Sequence, residues 1–394
     1  MNKSYGRAKV ILIIIQFLVM VGFGIVIPIM PFFIGELGGG AFILGLYMSA
    51  YSIMQFFFAP FWGRLSDRIG RRPVLLIGLS GYGITFLLYG LAENIPYLII
   101  IRAVSGMISS AAFPTAMAYM ADITEEKERS KNMGMLGAAA GLGMIFGPAL
   151  GGWLGDFSLT LPFYVAGAMA LAIVPFAFKF LPETLKEPVK QQKKSLGLSP
   201  AVVHQPLFPF FVFNFILNFT MAMFEGTFTL FASERVGYGT VEMGLIFMLI
   251  GVVGVIVQGM LIGKLVKQFG DAFIAKFGVI FCGLGFLWII WAPNALLLVL
   301  GTIIFMVGSS LMTPTISSLV SKQSNAGHGA SLGVFQSFGS LGRIFGPVVG
   351  GGIYEFSMDA PYILGAISLF VVLLIYGSRI KDKTSDESFR GHMN

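Results

Sequence analysis

A single cysteine, three histidines and 11% charged residues are all that this 394-residue chain has of the side chains that build disulfides, metal cages and soluble surfaces. One thiol excludes any disulfide within the chain, and Cys282, set in an apolar run, reads as a small buried hydrophobe. His204, His328 and His392 fall outside the apolar runs and make no metal-ligand cluster. No nucleophile has a base near it in a catalytic pattern and no ATP-binding motif is visible, so no enzyme, no metal site and no cofactor is expected. A soluble chain would carry about a quarter charged residues. The shortage, beside 56% hydrophobic residues, excludes a set of soluble domains and points to a polytopic membrane protein. The net charge of +7 does not indicate nucleic acid, because no basic stretch is interleaved with aromatics outside the apolar runs.

What is there in abundance is long apolar sequence. Twelve runs are near 20 residues: 10–32, 42–62, 74–92, 96–121, 132–154, 160–181, 207–233, 240–262, 273–292, 295–320, 329–353 and 360–379. The first follows Lys3, Arg7 and Lys9 like a secretory signal, but it is too long and lacks a small-residue cleavage site, so it reads as a retained span. These runs predict an all-α membrane fold with an N-terminal half over 1–181, a cytoplasmic linker over 182–206, a C-terminal half over 207–380 and a disordered tail over 381–394. Of 26 lysines and arginines, Arg102 and Arg343 fall within spans and Arg235 in an outer loop, and the rest lie on the side shared by the termini. That side is therefore expected to be cytoplasmic, in a plasma (inner) membrane.

The halves repeat. GRLSDRIG at 63–70 answers to GKLVKQFG at 263–270, Pro114-Thr115 to Pro314-Thr315, and GMIFGPALGG at 143–152 to GRIFGPVVGG at 342–351, all offset by 199 or 200. A duplicated six-helix unit is the parallel-repeat plan of one large transporter class.

Four motifs carry a resemblance. The loop GRLSDRIGRRP at 63–73, IIIRAVSG at 99–106, GFGIVIPIMP at 22–31 and the decapeptide at 143–152 together resemble the major facilitator superfamily. Within it they resemble the twelve-helix bacterial drug:proton antiporters of the multidrug and quinolone efflux type, over nearly the whole chain. The resemblance implies a cytoplasmic latch in the first loop, formed by Gly63, Asp67, Arg68, Gly70, Arg71 and Arg72. The arginines also serve as a topology anchor. Asp67 either pairs across the cytoplasmic face or faces the positive N-terminus of a helix in the other half. In the second copy Lys267 replaces Asp67, so the latch is assigned to the first half alone.

Interior proline and glycine weaken a helix by about 3 and 1 kcal/mol, yet the decapeptide is written twice. Gly143, Gly147 and Gly151 recur every four residues as one smooth face, with Pro148 and Gly152 loosening the backbone beside it. Ordinary close packing accounts for either copy alone. Two copies suggest an interface across which the halves rock, the resemblance implying the fifth span against the eighth and the eleventh against the second.

A charge at mid-bilayer costs at least about 2.5 kcal/mol, which makes Arg102, Glu225 and Arg343 functional candidates. Counted from the cytoplasmic ends, all three reach the midplane or beyond, so one cavity could hold them. Glu225 is read as the proton-exchanging and substrate-binding residue, modulated by Arg102 or Arg343; a structural Glu225–Arg343 pair is the alternative role for the arginine. The resemblance supports a coupling acid in the seventh span, but the acid that some relatives carry before the tenth-span proline is replaced here by Ser309 and Ser310. Uncharged candidates are Gln16, Tyr51, Gln55, Asn214, Asn218, Phe228, Gln258 and Gln336, with Gln55, Asn218 and Gln336 foremost because a dry interior forces them to find polar partners. Flexible Met and Phe surroundings suit varied flat lipophiles.

The function expected is export of lipophilic, cationic drugs in exchange for protons by alternating access, the proton gradient supplying the energy. Its partners are small substrates, protons and the lipid bilayer, and a monomer is expected. A proton-coupled transporter of one narrow sugar, metabolite or tetracycline substrate is the rival reading, and a receptor or scaffold that kept the fold is the third.

Overall fold

The computed structural model describes residues 3–185, 207–323 and 328–382. Residues 186–206 of the expected linker and 383–394 of the expected tail lie outside the described residues. Among those described, all regular structure is helical, as hydrocarbon requires, since a helix satisfies its backbone groups internally. The helices are α1 (Lys3–Glu36), α2 (Ala41–Ile69), α3 (Arg71–Tyr89), α4 (Ile95–Ser109), α5 (Ala112–Asp122), α6 (Glu126–Phe157), α7 (Leu161–Phe180), α8 (Phe208–Val236), α9 (Thr240–Ile256), α10 (Ile262–Phe269), α11 (Asp271–Trp291), α12 (Ala295–Gln323), α13 (His328–Tyr354) and α14 (Ala360–Tyr376). Among the described residues, 11 segments are long and apolar enough to cross a membrane. The twelfth predicted span is α13, which carries Arg343 amid glycines and serines and is not among those 11.

The fourth span is divided into α4 and α5 at Ser110–Ala111. Pro114 has no N–H to give to the Ser110 carbonyl, which breaks the ladder there. Its counterpart Pro314 sits inside an unbroken α12, where Thr315 Oγ1 donates to the Leu311 carbonyl at 2.8 Å and Thr313 Oγ1 to that of Ser309 at 3.1 Å. The eighth span contains a π turn, Val257–Leu261, between α9 and α10.

The chain groups into two compact units, one of residues 1–192 with 237–251, the other of 193–236 with 252–394. The duplication is also present in the backbone. Gly38, Gly70, Gly237 and Gly270 are the described residues with left-handed φ, at +79°, +111°, +72° and +80°. They form two pairs separated by 199 and 200 positions. Asn94 and Asn294 likewise cap α4 and α12 through the same bond, accepting from Tyr97 N at 2.9 Å and Leu297 N at 3.0 Å.

The glycine stripes pack on a different helix from the one expected. In the first unit, a Cβ at Gly143 would come 2.7 Å from the Phe17 carbonyl and one at Gly151 2.8 Å from that of Ile25, while Gly147 lies against Val21 and Gly24. The stripe therefore seals α6 onto α1, backbone to backbone. In the second unit Gly342 does the same against the Phe215 carbonyl of α8, at 2.5 Å, and Gly346 follows along the same helix. A four-residue period of small residues makes a tight seam, and here the seam joins two helices of one unit. The approach of the fifth span to the eighth rests on other atoms of the motif: a Cβ at Gly152 would meet the Thr240 carbonyl, and one at Gly244 would come 2.6 Å from that of Pro148.

At the basic ends of the spans, each unit carries one clamp with its charges exchanged. Arg71 Nε lies 3.2 Å from Asp122 Oδ2 between α3 and α5, while Asp271 Oδ2 lies 2.5 Å from Lys322 Nζ between α11 and α12. Both positions differ by 200, so acid and base have traded places. A second carboxylate completes each clamp. Glu183 accepts from the Arg71 and Arg72 amides at 2.9 and 3.1 Å, and Asp382 from the Ala272 amide at 3.3 Å, each on the positive N-terminus of the helix that follows a left-handed glycine. Asp67 is part of this network: it pairs with Arg71 of its own loop at 2.5 Å. The charged end of the second half is thus intact despite the loss of its arginines. Lys322→Asp is expected to lower stability by about 1 to 2 kcal/mol, less than for a fully buried pair because Lys322 is mostly exposed. Adding Asp271→Arg, which copies the first unit, should recover most of it, as read from thermal unfolding in detergent.

Candidate functional site

In the first unit the helix α4 motif becomes a grip on α2. Arg102 is 5% exposed, with its guanidinium carbon 4.6 Å from the Tyr47 ring centroid and 4.4 Å from that of Tyr51. Among the described residues no carboxylate pairs with it, so the faces of two aromatic rings stabilise the buried charge. One turn on, a Cβ at Gly106 would stand 2.5 Å from the Tyr51 carbonyl. The Arg-x-x-x-Gly spacing thus provides a charge for the rings and, on the same helix face, a gap for the backbone that carries them. The Tyr51 hydroxyl lies 3.1 Å from Ser109 Oγ. Gln55, on the next turn, extends the face of Tyr47 and Tyr51. Arg102→Lys is expected to lower the unfolding midpoint, because an ammonium on a flexible stem stacks on neither ring; desolvated cation–π contacts are worth about 2 kcal/mol.

The second unit holds the carboxylate. Asn214, Asn218 and Glu225, spaced by four and seven, share one face of α8; Gln336, Ser340 and Arg343, spaced by four and three, share one face of α13. The faces interlock. Asn214 Nδ2 donates to the Phe335 carbonyl at 2.6 Å, Asn218 Nδ2 to Asn214 Oδ1 at 3.0 Å, Arg343 Nη1 to Asn218 Oδ1 at 3.3 Å and Ser340 Oγ to the Gln336 carbonyl at 3.0 Å. Gly339 permits this approach, since a Cβ there would come 2.8 Å from Asn214 Nδ2. Glu225 is half-buried and its charged neighbour is Arg343. A carboxylate so placed can hold a proton or a cation, with a guanidinium beside it as counter-charge.

The structure therefore gathers Glu225, Arg343, Asn218 and Gln336 in one unit, and Arg102, Tyr51 and Gln55 in the other. Phe228 is fully buried, stacked on Phe224 at 4.4 Å between centroids. Through Phe224 it joins an aromatic core with Phe286 and Phe305. Gln258 is exposed on the π turn and Gln16 is buried within α1. Tyr47 and Ser340 were not singled out from sequence; their signal is the helical spacing to Tyr51 and Arg343. Among the described residues, no group of three or more His, Cys, Asp or Glu side chains is arranged to hold a metal.

Comparison with known proteins agrees with this architecture. Multidrug resistance protein 2 of Bacillus subtilis (strain 168) is 29% identical over 384 residues, covering 95% of this chain and 96% of the relative. Quinolone resistance protein NorA of Staphylococcus aureus (strain COL) is 24% identical, covering 91% and 93%. Among solved structures, the nucleoside transporter NupG superposes with a TM-score of 0.81 at 16% identity, over 97% of this chain and all (100%) of that one. The human organic anion transporter MFSD10 superposes with a TM-score of 0.69 at 22% identity, over 96% and 99%. At these identities the structures establish the fold. The family model described as Major Facilitator Superfamily matches residues 12–329 and 277–392. This chain, a multi-pass membrane protein of helical hairpins duplicated in sequence and backbone, belongs to the Major Facilitator Superfamily.

Proposed function

We propose that the protein exports lipophilic, cationic compounds in exchange for protons by alternating access, from the plasma (inner) membrane with both termini in the cytoplasm. The observation that carries this reading is Glu225, a half-buried carboxylate within an apolar span, whose charged neighbour is Arg343, itself bonded to Asn218 on the same face of α8. A proton and a cationic drug compete for it, and binding of either favours a different state of the carrier. The relatives named for multidrug and quinolone resistance support the same class of substrate. One proton suffices energetically. A membrane potential of 100 mV supplies about 2.3 kcal/mol per charge, and each pH unit about 1.4 kcal/mol.

The test is ethidium accumulation in bacteria deprived of their own drug pumps. Cells expressing the protein should hold several-fold less dye than control cells, and a protonophore should erase the difference. Equal accumulation with and without the protein, for ethidium and a panel of similar cations, would turn the reading toward a narrow substrate. The hydrogen-bonded face of Asn218, Arg343 and Gln336 is the feature that would serve such a substrate.

A further inference from the structure

Outside the polar faces just described, the first unit has an apolar groove of about 610 Å³ between the start of α1 and the end of α7, lined by Gly6, Arg7, Val10, Ile11, Phe176 and Phe180. Its walls are hydrocarbon: Val10 and Phe176 are each 56% exposed. Among its lining residues Arg7 alone is charged. Arg7 is exposed at the rim and, among the described residues, no acid pairs with it. Lys179, between the two phenylalanines, adds a second cation, its ammonium 5.5 Å from the Phe180 centroid. Lys9, the other cation nearby, is already paired with Glu128 at 3.2 Å.

We propose that this groove is a binding site for one anionic phospholipid, with Arg7 and Lys179 holding the phosphate headgroup and Phe176, Phe180, Val10 and Ile11 the acyl chains. A soluble anion would leave the apolar walls wet, and a neutral lipid would leave two cations at the rim without a counter-charge. An acyl chain carrying a negative head satisfies both at once. The groove also adjoins the charged clamp. Phe178, between the lining phenylalanines, lies 4.7 Å under the Arg72 guanidinium and accepts a hydrogen bond from it through its carbonyl. An occupant of the groove would therefore steady the helix end on which the clamp of α3 rests.

The test is lipid retention. Purified full-length protein is equilibrated with mixed vesicles of phosphatidylcholine and phosphatidylglycerol, re-extracted in mild detergent, and its bound lipids are counted by native mass spectrometry. Phosphatidylglycerol should be enriched about fivefold for each cation it meets. Arg7→Gln should lower the enrichment by that factor, Arg7→Lys should keep it, and Phe176→Glu, which leaves Arg7 in place but sets an acid in the wall, should lose it. Equal enrichment in the wild type and in Arg7→Gln would overturn the proposal. So would displacement of the bound lipid by soluble glycerol phosphate as readily as by phosphatidylglycerol, since the walls would then contribute nothing.

Discussion

Glu225→Gln is expected to abolish drug-driven proton movement while leaving the protein folded in the membrane. The amide matches the carboxylate in size, so the packing of α8 against α13 through Gly342 and Gly346 is undisturbed and the unfolding midpoint should move little. What is lost is the exchangeable proton and the negative charge. A hydrogen bond to a charged group is worth about 1.5 to 3 kcal/mol, so affinity for a cationic drug should fall about tenfold to hundredfold. Arg343→Gln provides the contrast. It keeps the carboxylate and removes its charged neighbour, so drug binding should persist while the pH dependence of exchange shifts. Binding measured by fluorescence and flux measured in liposomes separate the two variants. Full coupling in Glu225→Gln would place the proton site on another residue.

Gly147→Val is expected to be the most damaging substitution in the glycine stripe. The atoms in its way belong to the α1 backbone, with the Gly24 Cα 3.0 Å from the added Cβ and the Val21 carbonyl against it. No side-chain rotation can relieve that contact. Overpacking of this kind costs about 1 to 3 kcal/mol where side chains can give way, and backbone against backbone should lie at or above the top of that range. Gly137→Val, on the same helix with nothing within 4 Å of the added Cβ, should change stability little. Thermal unfolding of both variants in one detergent checks the prediction, and equal midpoints would contradict the view that the stripe is a static seam within the unit.

The helices are legible in the sequence because lipid allows few alternatives: about 20 apolar residues in a row must become a span. The breaks are less so. Pro114 and Pro314 look alike in sequence, yet one stands beside a break between two helices and the other inside an unbroken one, a difference that the shared Pro-Thr pair does not announce. The glycine period correctly announces a close helix pair, but periodicity names a face and not its partner, and the face formed by Gly143, Gly147 and Gly151 packs on α1. Arg102, Glu225 and Arg343 stand out because charge within a span is costly. Phe228 cannot be judged the same way, since an aromatic residue suits a core and a cavity equally. The exchanged clamp of Arg71–Asp122 and Asp271–Lys322 is hidden because a search for repeated letters misses a repeat whose charges are reversed.

The most direct measurement places the purified protein in liposomes that enclose a pH-sensitive dye, imposes a pH gradient, and adds ethidium to wild type and to Glu225→Gln. The account predicts proton flux that requires both the drug and the carboxylate of Glu225. Flux in the wild type that ignores ethidium, or drug-driven flux that survives unchanged in Glu225→Gln, would contradict it.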